Sequence, residues 1–253
     1  MLAIERKMRI IEYVRQNRTA TISALAKKFN VHEATIRRDL AEIEQNGILK
    51  RTHGGVIMEK WTYDEPPFME RTTLNLDQKM RIGKMAASLV EDGESIIIDS
   101  GTTTLHIAKN LIHRTDITVV TNDMNVAAEL RDAPRIKVIL TGGELYPSSY
   151  FLNGMFTDHA LRSLHVEKSF MGTTALHPQY GLMHPDAQVV PAKQEMIYAA
   201  GEIIVVADDS KIGKLSLHTV APNNAIHTLI TGKEASEYDL QPFRDIGITI
   251  YTV

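Results

Sequence analysis

The sequence has no cysteine in 253 residues. Thiol nucleophiles, cysteine-ligated zinc and iron–sulfur clusters are thereby excluded, and the absence fits a reducing compartment without establishing one. Long apolar runs are also missing. Ser95-Ile-Ile-Ile98 is typical of the longest, far short of the roughly 20 residues that span a bilayer, so no membrane association is expected. The opening Met1-Leu-Ala-Ile-Glu-Arg-Lys-Met-Arg-Ile10 is charged too densely for a secretory signal. What is present is ordinary: 43% hydrophobic and 23% charged residues rule out a disordered, collagen-like or disulfide-stapled chain. These features imply a soluble, unprocessed protein of the cytoplasm, long enough for one large or two ordinary domains.

Charge is unevenly spread. Residues 1–60 carry 12 Lys and Arg against 7 Asp and Glu, a balance of +5, whereas the remainder carries 16 against 24, a balance of −8. A basic head on an acidic body suggests that the head meets a polyanion. By itself such an excess is weak, because short charged segments are commonly just solvated.

Periodicity divides the chain into a head over residues 1–58, a linker over 59–76 and a body over 77–253. In the head, apolar Ile4, Met8, Ile10, Ile11 and Val14 predict a first helix to Asn17. A second begins near Ser23 as N-cap, turns Leu25, Ala26 and Phe29 inward, and stops at Asn30. The third, Glu33 to Gln45, carries Ile36, Leu40 and Ile43 on its core face. Ile48 to Ile57 reads as two strands around Gly54-Gly55. The linker contains Pro66-Pro67, which blocks helix, and aromatic residues that suit a strap packed on a surface. In the body, helices at 79–90, 105–111 and 124–130 alternate with β-branched runs at 96–98, 117–120, 136–140, 169–171, 203–206, 228–230 and 248–251. That pattern predicts an α/β fold with a mostly parallel sheet covered on both faces.

Two short helices joined by a tight turn, the second bearing adjacent arginines, describe a helix-turn-helix over about residues 20–39. Thr35 and Arg38 lie three apart on the outward face and can reach one groove together, while Arg37 is better placed for phosphate. The following hairpin would be a wing, with Lys50, Arg51 and His53 near the DNA backbone or minor groove. The competing reading is a three-helix bundle whose Arg37-Arg38-Asp39 only decorates the surface.

Thr35-Ile-Arg-Arg-Asp-Leu40, Gly47-Ile-Leu-Lys-Arg51 and Thr52-His-Gly-Gly55 together resemble the N-terminal signature of DeoR-type bacterial transcriptional regulators. The resemblance implies a winged helix-turn-helix repressor of sugar metabolism. It departs at His32, where the family has a serine cap. Either Asn30 or water caps the third helix in its place, or His32 points into the groove as part of the readout.

In the body, Ile98-Asp-Ser-Gly-Thr-Thr-Thr-Leu105 follows a buried strand and opens a helix. Free amides and the helix dipole favour an anion there, Gly101 lets backbone approach closely, and Ser100, Thr102, Thr103 and Thr104 add hydroxyls. An ordinary strand–turn–helix with a Ser/Thr cap is the bland alternative. No Gly-x-x-x-x-Gly-Lys-Ser/Thr loop is present, so a nucleoside triphosphate is not indicated. Further polar breaks follow strand ends: Thr121-Asn-Asp123, Thr141-Gly-Gly143, Gly172-Thr-Thr174 and Ala207-Asp-Asp-Ser-Lys211. On one sheet edge these place Asp99, Thr121, Asn122, Gly142, Gly143, Gly172, Asp208 and Lys211 around a crevice suited to a polyhydroxy phosphate. Lys193, near a helix start, is either solvated or paired with an anionic ligand.

The sensor domain of DeoR-type regulators is similar to ribose-5-phosphate isomerases, and Lys79, Asp99-Ser-Gly-Thr-Thr103 and Asp208-Asp-Ser-Lys211 look like the shared elements. The isomerases also need an Asp-Gly-Ala-Asp segment and a catalytic glutamate. Here the first place holds Phe170-Met-Gly-Thr-Thr-Ala175, without a carboxylate, and the second Ala192-Lys-Gln194, with Glu195 close enough to test. Binding chemistry is retained and acid–base chemistry lost. The dispersed histidines, among them His106, His113, His177 and His184, form no metal-ligand pattern, so neither metal nor cofactor is expected. The leading reading is thus a regulator, not an enzyme, that binds double-stranded operator DNA as a dimer or tetramer and responds to a phosphorylated sugar or polyol. A sugar-phosphate isomerase with a basic appendage, and an architectural DNA binder with an assembly domain, are the alternatives.

Overall fold

Amphipathic spacing in the first sixty residues closes a small core. In a computed structural model, which describes residues 3–17, 19–44, 49–52, 54–58, 61–62, 65–146 and 149–253, the chain divides into two units, Met1–Lys60 and Trp61–Val253. The first runs α1 (Ala3–Asn17), β1 (Thr19–Thr21), α2 (Ile22–Phe29), α3 (Glu33–Glu44), β2 (Leu49–Thr52) and β3 (Gly55–Met58). Its strands form an antiparallel sheet in the order β1-β3-β2. Ile10, Val14, Leu25, Ile36, Leu40 and Ile43 are fully or almost fully buried between helices and sheet. Each such side chain contributes about 1.5–3 kcal/mol, which matters in a unit this small.

The helix ends correct one expectation and match another. The N-cap of α2 is Thr21 rather than Ser23, its hydroxyl accepting from Ala24 N at 3.1 Å. Ser23 already lies inside the helix, two residues beyond the cap. Asn30 takes the left-handed conformation expected at the helix end (φ 50°, ψ 52°). Gln45 and Asn46-Gly47, the expected end of α3, lie outside the described residues, as does His53.

The second unit begins with β4 (Trp61–Thr62), α4 (Phe68–Thr73) and α5 (Leu76–Ser88). It continues with β5 (Ser95–Ile98), α6 (Leu105–Leu111), β6 (Ile117–Thr121), α7 (Met124–Leu130) and β7 (Ile136–Leu140). A hairpin of β8 (Glu144–Tyr146) and β9 (Phe151–Asn153) leads to α8 (Met155–Arg162), β10 (Val166–Gly172), β11 (Ala175–His177) and β12 (Gly181–His184). The chain closes with α9 (Val190–Tyr198), β13 (Ala200–Val206), β14 (Leu215–Ser216), β15 (His218–Ala221), β16 (Thr228–Thr231), α10 (Glu237–Asp245) and β17 (Thr249–Thr252).

Seven strands pair in parallel in the order β17-β16-β13-β10-β5-β6-β7. The isoleucine run at the centre explains the two-sided burial. Ile96 and Ile98 face one layer with Ile82, Ala86 and Ile107, while Ile97 faces the other with Met171, Met196 and Val205. The direction of winding reverses beside β5, where β6 follows on one side and β10 on the other. Ligand crevices of parallel sheets open at such a reversal, beyond the carboxyl ends of the strands.

The segment read as linker is built into this unit. β4 pairs in parallel with β14, and α4 packs Phe68 and Arg71 inward. The helix expected at 79–90 starts earlier, at Leu76, and ends at Ser88. Gly83 sits at its middle because a Cβ there would come 2.4 Å from His106 Cβ, so only glycine lets α5 and α6 cross this closely.

Candidate functional site

On α3, Ile36, Asp39, Leu40 and Ile43 are buried, and Arg37 and Arg38 face out. Arg38 is exposed and makes no hydrogen bond among the described residues, whereas Arg37 is held by Glu33 one turn earlier, Nη2 to Oε2 at 2.8 Å. Thr35 is half-buried beside them. Asp39 is buried and takes a two-pronged contact from Arg6, Nε to Oδ2 at 2.6 Å and Nη2 to Oδ1 at 3.1 Å, which ties α3 to α1. His32 itself caps α3: its Nδ1 accepts from Ala34 N at 3.3 Å. Neither Asn30 nor water is needed for that cap. Lys50 and Arg51 stand on β2 opposite Ile57 and Val56.

In the second unit the loops after β5 and β10 meet the helices α5 and α9 around a cavity of about 300 Å³. Asp99, Ser100, Gly101, Thr102 and Thr103 line it from the first loop, Gly172 from the second, Lys79 from α5 and Lys193 from α9. Asn122, Asp208 and Lys211 complete the set anticipated from sequence. Asp99 is the organising anion. Its Oδ1 accepts from Ser100 N at 2.8 Å, its Oδ2 accepts from Gly172 N at 3.0 Å, and Lys193 Nζ pairs with Oδ2. Lys193 also donates to Gly172 O at 2.9 Å. The expected choice between solvation and ligand pairing therefore resolves otherwise: Lys193 is buried and paired with a carboxylate of its own chain.

Lys79 has no such carboxylate contact. Its Nζ donates to Arg71 O at 2.5 Å. Burial brings its pKa down to about 8; nearby Asp208 opposes this, while Lys211 and Arg71 reinforce it. Asp208 is fixed by Asn75 Nδ2 and by Ser210 N, each at 3.0 Å. The Oδ1 of buried Asn122, whose Nδ2 donates to Leu152 O, has no partner among the described residues.

Four anticipated residues do not line the cavity. Thr104 is buried and returns its hydroxyl to Gly101 O at 2.9 Å, closing the turn. Thr121 gives its hydroxyl to Ile98 O at 2.7 Å and accepts from Asp123 N. Gly142 and Gly143 lie against α8, where Thr157 Oγ1 donates to Gly142 O at 2.7 Å. Local structure consumes these groups. Gly101 takes φ 158°, a backbone conformation that residues with a side chain rarely adopt, and a Cβ there would also lie 3.3 Å from Thr104 Oγ1.

Sequence reading missed Glu65, Arg71 and His184, which also line the cavity. Arg71 Nη1 pairs with Glu65 Oε1 at 2.5 Å, and His184 Nε2 lies 3.8 Å from Glu65 Oε2. Burial acts to raise the Glu65 pKa, but nearby His184 and the charges of Arg71 and Lys193 outweigh it and hold it below the carboxylate norm. Only Pro66-Pro67 marked this stretch in the sequence. Glu195, the one glutamate near the isomerase position, does not line the cavity and is paired with Arg162 at 2.5 Å. No group of histidine and carboxylate side chains suited to a metal occurs among the described residues.

A winged three-helix unit with an outward arginine, followed by an α/β unit with a cation-rich cavity, defines a DNA-binding regulator with a small-molecule sensor. Residues 6–62 match the DeoR-like helix-turn-helix domain and residues 74–233 the DeoR C terminal sensor domain. The chain belongs to the DeoR family of transcriptional regulators. It is 30% identical to the HTH-type transcriptional regulator GolR of Listeria innocua over 99% of this chain and 98% of that one. The HTH-type transcriptional repressor GlcR of Bacillus subtilis is 33% identical over 90% and 88% respectively. Ribose 5-phosphate isomerase A of Methanocaldococcus jannaschii matches 56% of each chain at 19% identity, with a TM-score of 0.42.

Proposed function

We propose that the protein represses a sugar or polyol catabolic operon, holding double-stranded operator DNA through α3 and the wing, and that a phosphorylated sugar or polyol in the cavity releases it. The observation that carries this reading is the charge pattern of the cavity. Lys79, Lys193, Lys211 and Arg71 converge with the hydroxyl loop Ser100–Thr103 in a space of about 300 Å³, the small end of ligand pockets. Asp99 is engaged by Lys193, Glu65 by Arg71 and Asp208 by Asn75, which leaves Lys79 and Lys211 as the lining cations without an ion pair among the described residues, so what the cavity lacks is an anion. A relative named as a repressor, GlcR, supports the sign of the effect.

An isomerase needs a base at the substrate carbons. Glu195, the glutamate near the isomerase position, lies outside the cavity and pairs with Arg162, and Glu65, which does line it, is engaged by Arg71; both favour binding without turnover. Operator specificity needs more base contacts than one winged unit makes, so the working species is a dimer or tetramer. No helix among the described residues is long and apolar enough to cross a membrane, and a cytoplasmic site of action follows from the DNA partner.

The test is a thermal-shift screen of the full chain against phosphorylated sugars and polyols and their unphosphorylated forms. A ligand at a hundredfold excess over Kd adds about 2.7 kcal/mol of stability. Gly101→Val, whose branched side chain crowds Thr104 at the mouth of the loop, should abolish the shift while circular dichroism stays unchanged. Equal shifts by phosphorylated and unphosphorylated forms, or by wild type and Gly101→Val, would refute the reading.

A further inference from the structure

We infer that Arg71 and Glu65 form a latch that the effector opens: the anion takes the Arg71 guanidinium from Glu65 and so loosens the segment by which the chain enters its sensor unit. The inference rests on the proposed function, since it presumes an anionic effector in this cavity.

Four observations carry it. Both partners line the cavity, so the ion pair is within reach of what binds there. The pair is largely shielded, with side-chain exposures of 11% for Arg71 and 23% for Glu65. Arg71 also grips the segment at two described points. Pro66 and Pro67 have no N–H to offer, so this stretch is held through its acceptors. Glu65 Oε1 and Pro66 O are both taken by the one guanidinium, the latter by Nε at 2.8 Å. Finally, Arg71 is tied to a cavity cation that has no carboxylate contact of its own among the described residues, because its carbonyl accepts from Lys79 Nζ. A phosphate drawn to Lys79 thus arrives beside Arg71.

Competition favours the effector on chemical grounds. The guanidinium fork fits a carboxylate and a phosphate alike, and a phosphate monoester carries up to two charges against one for Glu65. Glu65 still has the His184 ring 3.8 Å away once the guanidinium leaves. The freed segment runs back to β4 at Trp61–Thr62, the first element after the boundary at Lys60. Arg71 and Glu65 are positioning residues in this account, and their message is a change in the hold on residues 61–70.

Hydrogen–deuterium exchange of the full chain tests it, using ribose 5-phosphate, glucose 6-phosphate and glycerol 3-phosphate as probes and following whichever raises the melting temperature. With the probe bound, amides of residues 61–70 should exchange about tenfold faster, the loss of one charge-assisted contact, while those of β6 do not. Glu65→Gln should exchange at the fast rate without probe and change no further on binding. Arg71→Lys, which keeps the charge and removes the fork, should be fast without probe as well. A probe that raises the melting temperature but slows or leaves unchanged the exchange of 61–70 overturns the latch and leaves the proposed function standing. Glu65→Gln and Arg71→Lys both behaving as wild type overturns it too. If no probe raises the melting temperature, the effector reading fails and the latch with it.

Discussion

Replacing Lys193 by methionine should expose how tightly the cavity is balanced. Lys193 and Asp99 are almost completely shielded, with side-chain exposures of 7% and 2%. Methionine keeps much of the length and apolar volume of the lysine, so the change is close to a pure loss of charge. It leaves the Asp99 carboxylate with two backbone donors, Ser100 N and Gly172 N, and Gly172 O without the Lys193 contact. Removing one member of a buried pair costs about 3–5 kcal/mol, because the other charge remains in a low-dielectric setting. At a urea slope of about 2–3 kcal/mol/M, the midpoint of unfolding should fall by about 1–2 M. The double variant Asp99→Asn/Lys193→Met removes both charges and should recover much of that loss, giving a coupling of about 2 kcal/mol or more. Urea unfolding followed by far-ultraviolet circular dichroism reads all four corners of this cycle. A single variant that costs under about 1 kcal/mol, or a double variant whose loss equals the sum of the singles, would show that the pair is not the buried brace described above.

Arg38→Ala should cost about 1–3 kcal/mol in operator binding and relax base preference, whereas Arg37→Ala, already tied to Glu33, should weaken all DNA about equally; gel-shift titrations at fixed salt separate the two. Folding lowers Lys79 from 10.5 to about 8, so the unfolded chain holds more protons between those values and stability rises with pH across that window. Lys79→Met should flatten this rise in melting temperature between about pH 8 and 10.5; an unchanged slope would contradict the burial of a charged amine. Pentose-phosphate isomerase turnover should be absent; activity above about 1 per second that Glu195→Ala abolishes would promote the enzyme reading.

The parallel sheet was legible because β-branched runs buried on both faces have no other stable home. The hydroxyl loop was legible because Gly101 and its flanking Ser and Thr sit between a strand and a helix. Thr104 and Thr121 looked like ligand donors as well, yet backbone carbonyls, of Gly101 in the same turn and of Ile98 on the neighbouring strand, take their hydroxyls. Arg71, Glu65 and His184 carried no local signature. They meet only when α4, the Pro66-Pro67 stretch and β12 pack together, and a pairing this distant leaves no period to read. The β8–β9 hairpin, α8 and the antiparallel sheet β11-β12-β15 are short elements between longer ones, where turn residues and packing outweigh propensity. His32 was the opposite case: a residue poor at capping in general does cap here, through Nδ1.

The two cores close at very different points along the chain. The first is complete within residues 3–58, while the cavity draws on side chains as far apart as Glu65 and Lys211, and the sheet beneath it is finished only by β17 at Thr252. Ribosomes add about 5–20 residues per second and early domains fold as they emerge, so about 10–40 s separate the two events on each nascent chain. During that interval a newborn molecule has its DNA-reading helix but nothing with which to perceive the metabolite. Every round of synthesis therefore passes through a stage in which the DNA-reading helix is formed and the cavity proposed for the effector is not.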